Sequence, residues 1–125
     1  MKPIIFILSI DTEEEWNWAG PFPNENFSVE NINEIPAFQT FCQELGIKPT
    51  YFVDYAVAND AQALDTLQRI AEGQRCEIGA HLHPWCNPPY RGTTLEHDSH
   101  VINLPIDLVE QKLDALTTIL TQLSG

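Results

Sequence analysis

The chain opens on an unbroken apolar run over residues 3–10, rich in β-branched and aromatic side chains and lacking the alternation of a half-buried strand. Such a run predicts a central parallel strand covered on both faces. A loop rich in Pro, Asn and aromatic residues follows over 17–33, and then Ile35, Phe38, Phe41, Cys42 and Leu45 recur at helical spacing. Gly46 stands just past the last of them, where a helix takes a left-handed cap. Residues 49–53 read as a second strand, Asp60 can cap a helix carrying Leu64, Leu67 and Ile70 that ends near Gly73, and residues 76–83 read as a third strand. A long loop over 84–103 leads to a final helix with Ile106, Val109, Leu113, Leu116, Leu120 and Leu123 on one stripe.

Strands that alternate with helices pair in parallel through right-handed crossovers, which puts the helices outside the sheet and the functional loops at the strands' C-terminal ends. The pattern therefore predicts an α/β fold with three parallel strands and alternating helices, in a single unit spanning residues 1–125. There is no internal repeat, low-complexity tract or linker.

Composition narrows the partners. Hydrophobic residues make up 43% of the 125 positions, enough for one modest core. Eighteen acidic residues against six basic ones give a charge of −12, which repels nucleic acid and anionic membrane surfaces. No apolar run reaches the roughly 18 residues of a membrane span. The opening run meets Asp11 and Glu13 without a small-residue cleavage site, so it reads as a strand rather than a signal peptide. Cys42, Cys76 and Cys86 form an odd set with no C-x-x-C pair, which argues against a disulfide framework or a zinc ribbon and fits a cytoplasmic protein.

Two motifs carry candidate chemistry, each at the C-terminal end of an expected strand. In Ser9-Ile10-Asp11-Thr12-Glu13-Glu14-Glu15-Trp16, strand geometry continued for two residues projects Asp11 and Glu13 to one side, where they can converge on one ion or one water, and turns Glu14 away. In Glu77-Ile78-Gly79-Ala80-His81-Leu82-His83-Pro84-Trp85, two imidazoles at i and i+2 share one face, a spacing that lets both reach a divalent metal. Neighbouring parallel strands are expected to bring the two motifs together. The resulting set, His81 and His83 with Glu13 or Asp11, leaves coordination positions open as catalytic sites do, and its donors suit zinc. His97 and His100 read as loop residues or substrate contacts. Trp16, Trp18, Phe22, Trp85 and Tyr90 crowd the same rim, where indole faces can pack on sugar rings or close the top of the core.

These stretches resemble the polysaccharide deacetylase family, also described as NodB-homology domains or carbohydrate esterase family 4. Leu8-Ser9-Ile10-Asp11 and the acids after it look like the family's first motif. Lys48-Pro49-Thr50-Tyr51-Phe52-Val53 looks like its second strand, and Cys76-Glu77-Ile78-Gly79-Ala80-His81 like the approach to its second motif. The resemblance implies a partial irregular (β/α) barrel and a hydrolase that removes acetyl groups from glycans with an Asp base and a divalent metal held by one acid and two histidines. Carried over, Asp11 matches the base. The family's usual metal acid falls on Thr12, which moves that role to Glu13. Its second histidine falls on Trp85, which leaves His83 as the substitute beside His81. Trp16 and Trp85 are the expected substrate contacts, and an acetylated glycan the expected substrate.

The family's later motifs, which include its catalytic acid, have no counterpart up to Gly125, and such barrels need about 200–250 residues. The chain is therefore expected to be the N-terminal half of the domain, inactive in isolation. The open sheet edge and the exposed stripe of the last helix are expected to drive self-association as a two-fold dimer. Other readings remain open: an inert metal- or sugar-binding fragment, or an allantoinase-like C–N hydrolase. A receiver-like phospho-acceptor module fits poorly, because the end of the third strand carries His81-Leu82-His83 where an acceptor Asp belongs.

Overall fold

The computed structural model describes residues 2–123. Three short strands, β1 (Ser9–Thr12), β2 (Thr50–Val53) and β3 (Glu77–Ala80), form one parallel sheet in the order β1-β2-β3. They run in register, so that Asp11, Phe52 and Gly79 make one cross-strand row and Thr12, Val53 and Ala80 the next. Between and after them lie α1 (Ile35–Glu44), α2 (Tyr55–Ala58), α3 (Ala61–Glu72), α4 (Glu96–Ser99) and α5 (Ile106–Leu120).

The helix boundaries follow from local chemistry. Gly46 adopts φ +70° and donates to the Gln43 carbonyl while Ile47 donates to Cys42, the paired bonds that close a helix at a left-handed glycine. Asp60 caps α3 by accepting from Gln62 N and Ala63 N at 3.0 and 2.8 Å. An unexpected cap lies at Asp54, whose Oδ1 accepts from Val57 N at 2.8 Å and starts α2 directly after β2.

Helices cover one face of the sheet. Ile10, Tyr51, Val53 and Ile78 join Ile32, Val57, Ala63, Leu67, Phe38 and Leu123 in the main core. Buried polar groups there are paired: Tyr51 Oη donates to Gln39 Oε1 at 2.8 Å, and Gln39 Nε2 donates to the Arg75 carbonyl at 3.1 Å. The opposite face carries Asp11, Phe52 and Gly79, exposed or half-buried. The Phe52 ring lies so close over Gly79 that a Cβ there would stand 2.5 Å from a ring carbon.

Several expectations need correction. The first strand covers Ser9–Thr12, not residues 3–10, and it lies at a sheet edge rather than the centre. Its partner β2 begins only after Pro49, and the ladder starts at Thr50 N to Leu8 O, so Ile4, Ile5, Phe6 and Ile7 have no strand to pair with among the described residues and are 69–96% exposed. The third strand stops at Ala80, short of His83. The stripe from Ile106 to Leu123 is not wholly exposed either, since Leu116 and Leu123 are buried, Val109 and Leu120 half-buried, and only Ile106 and Leu113 exposed.

Candidate metal centre

The strands stop at Thr12, Val53 and Ala80, but their pairing continues by one hydrogen bond on each side: Asp54 N donates to Thr12 O at 3.1 Å and His81 N to Val53 O at 3.0 Å. This carries strand alternation past the ends, so Glu13 and His81 lie on the face of Asp11 and Gly79. Thr12, on the helix-covered face and 2% exposed, cannot reach them. β1 and β3 are not neighbours; β2 stands between them. Because Asp54 turns the chain into α2, the end of β2 is cleared, and Glu13 meets the histidines across it.

The meeting is close. Glu13 Oε2 lies 2.9 Å from His81 Nε2 and 3.1 Å from His83 Nε2, and all three donors lie within 4.8 Å of one another. Ligands held at about 2.0–2.2 Å from one ion stand roughly 3 Å apart, so this donor set fits a divalent cation. Glu13 and His81 are half-buried, which leaves the outer side of the site open to solvent, while His83 is buried. Asp11 occupies the same sheet face, exposed, but lies outside this cluster.

Beneath the three donors lies a layer that the motifs did not disclose. Glu14, expected to turn away, turns into the protein: its Oε2 accepts from His83 Nδ1 at 3.0 Å and its Oε1 from Trp85 Nε1 at 2.8 Å. Asp54 Oδ2 accepts from Glu14 N at 3.3 Å and lies 3.8 Å from His83 Nδ1, and the Cys86 thiol points at Asp54 and at the His83 carbonyl, both at 3.7 Å. Burial opposes ionisation of Glu14, but bonds to His83, Asp54 and Trp85 and the attraction of His83 outweigh it and hold the carboxyl near 2. Burial, then the adjoining Glu14, pushes Asp54 up to about 9. Burial likewise pushes the Cys86 thiol up. Glu14, Asp54, His83 and Cys86, all buried, also lie within 4.8 Å of one another, a second set of donors that shares His83 with the first.

Aromatic rings close one side. Trp85, 6% exposed, stacks on His83 at 4.3 Å, Trp16 lies against Trp85 at 4.8 Å, and Trp18 and Phe22 lie against Trp16 at 4.5 and 5.2 Å. Trp16 is pinned by its own Nε1 to the Pro21 carbonyl at 3.1 Å. The segment bearing Trp85 is anchored from α5: Lys112 Nζ donates to the carbonyls of Pro84 and Pro89, both at 2.9 Å, and to that of Asn87. His97 pairs with Asp98 at the surface, and neither His97 nor His100 joins a ligand cluster among the described residues. The three cysteines are free and buried. Among the described residues no helix is long and apolar enough to cross a membrane.

No family model, no curated protein and no solved structure matches this chain.

Proposed function

We propose that the chain carries the metal-binding part of a polysaccharide-deacetylase-type hydrolase, with Glu13, His81 and His83 as ligands of a divalent metal, zinc. The observation that carries the reading is the convergence of one carboxylate oxygen and two imidazole Nε2 atoms at the C-terminal edge of a parallel sheet, open on its solvent side. Among the described residues helices pack on the sheet face of Ile10, Tyr51, Val53 and Ile78, which also suits the wall of a (β/α) barrel, since a doubly wound sheet is covered on both faces.

A zinc ion there would polarise an acetamide carbonyl and lower the pKa of a bound water toward about 7. Asp11, exposed on the same face two residues before Glu13, is the group to accept the water's proton. Trp85 has its indole N–H committed to Glu14 and one face on His83, so it forms the floor of an aromatic wall whose outer surface is Trp16 and the 76%-exposed Trp18. A sugar ring can pack its C–H face there. A second reading, an inert metal- or sugar-binding fragment, is favoured by one observation: Asp11 stands apart from both ligand clusters.

Acetyl chito-oligosaccharides titrated into the zinc-loaded protein, followed by tryptophan fluorescence and acetate release, test the reading. Saturable quenching lost in Trp18→Ala supports the glycan site, and acetate release lost in Asp11→Asn supports the reaction. Zinc binding with neither response would overturn the deacetylase reading in favour of an inert metal site.

A further inference from the structure

We infer that Glu14 is the positioning residue of this metal centre, the carboxylate that fixes the tautomer and ring plane of His83 so that Nε2 faces the metal. The inference rests on the metal reading above and extends it to a residue outside the Glu13, His81 and His83 donor set. His83 is held on both sides: Nε2 lies 3.1 Å from Glu13 Oε2 and Nδ1 lies 3.0 Å from Glu14 Oε2. Both contacts are to carboxylate oxygens; with a metal between Glu13 and Nε2 that nitrogen must offer its lone pair, which leaves the ring proton on Nδ1, where Glu14 accepts it. His81 differs, since the contact fixed for it is Nε2 with Glu13 at 2.9 Å.

Glu14 is itself immobilised. It is 3% exposed, its second oxygen takes the Trp85 indole N–H at 2.8 Å, and its backbone N–H is tied to Asp54 at 3.3 Å. Trp85, stacked on His83 at 4.3 Å with 24° between the planes, therefore serves the same end twice: it supports the ring and it holds the carboxylate that orients it. A buried carboxylate with both oxygens spent on donors, one of them the distal nitrogen of a ligand imidazole, is the arrangement by which outer groups raise ligand basicity. Replacing such a partner typically lowers metal affinity 10–100-fold. In Glu14→Gln only one amide oxygen remains for two donors, and the amide N–H₂ must face either His83 or Trp85.

Two measurements on the full chain test this. Calorimetric zinc titration of wild type and Glu14→Gln, with thermal melts as the folding check, is expected to show one site weakened 10–100-fold in a folded variant. Nitrogen-15 NMR of histidine-labelled wild type, without and with zinc, is expected to show a hydrogen-bonded, slowly exchanging His83 Nδ1–H in both states, and coordination through Nε2 once zinc is added. The wild-type spectrum stands whether or not the variant folds. Zinc held equally well by folded Glu14→Gln, or His83 coordinating through Nδ1, would overturn the inference while leaving the metal site intact. A wild-type chain that takes up no zinc would instead sink the metal reading itself.

Discussion

Lys112 on α5 belongs to neither donor cluster, yet its replacement by Met should be felt at the proposed metal site. The ammonium is 3% exposed and donates to three carbonyls of the segment that bears Trp85, those of Pro84, Asn87 and Pro89, with the Tyr90 ring 5.4 Å away. Burial lowers it to about 8, so at pH 7 it is still largely charged and can make all three bonds. Methionine keeps the stem and removes the donors. Pro84 and Asn87 are buried residues and Pro89 is half-buried, and each stranded acceptor costs about 1–3 kcal/mol, which sums to about 2–5 kcal/mol once the relief of desolvating an ammonium is set against it. For a domain of this size that corresponds to a fall in Tm of roughly 8–20 °C. Because the loosened segment holds Trp85, and Trp85 holds Glu14, zinc affinity should fall as well. Urea and thermal denaturation provide the assay, with Lys48→Met as control: its exposed pair with Glu77 at 3.2 Å should be worth less than about 1 kcal/mol. A Lys112→Met protein within 0.5 kcal/mol of wild type and with unchanged zinc affinity would refute the reasoning.

Gly79→Ala should destabilise by about 1–3 kcal/mol because the new Cβ meets the Phe52 ring at 2.5 Å, and Phe52→Ala should relieve most of it; additive losses in the double variant would contradict the contact. In metal-free protein Asp54, raised to about 9 by burial and by Glu14, holds a proton that the unfolded chain releases near 4, so its contribution to stability is present at acid pH and fades as pH rises toward 9. Asp54→Asn, which keeps the cap on α2, should flatten that decline, and an unchanged slope in urea titrations from pH 5 to 9 would be against it. The exposed run Ile4, Ile5, Phe6 and Ile7 should promote self-association, which light scattering after size exclusion would disprove by showing a monomer at micromolar concentration.

What could be seen in advance was local. Gly46 closes α1 and Asp60 opens α3 because caps depend on a few neighbouring backbone groups, which the sequence displays directly. Glu13, His81 and His83 were legible for a related reason: alternation at a strand end sets which side chains share a face, and the ladder runs just far enough past Thr12 and Ala80 to preserve it. Strand length was not legible, because the run 3–10 can pair only where β2 offers a partner, and β2 starts after Pro49. Nor was the layer under the site. Glu14 was discounted by the same alternation that identified Glu13, because the partners that hold it, His83 and Trp85, lie 69 and 71 residues away in the chain. Asp54 had a usable signal, an acid immediately after the apolar strand residues Tyr51, Phe52 and Val53, the position that Glu13 takes relative to β1. The assumption that strands one and three adjoin hid it, because β2 lies between them and Asp54 stands at its end.

The central claim is that Glu13, His81 and His83 form one metal site, and zinc analysis of the purified chain after incubation and desalting tests it most directly, run beside His81→Ala and Glu13→Ala. One zinc per wild-type chain, with affinity reduced at least tenfold in either variant, is the predicted result. Sub-stoichiometric zinc in wild type, or undiminished binding in folded His81→Ala, would contradict it.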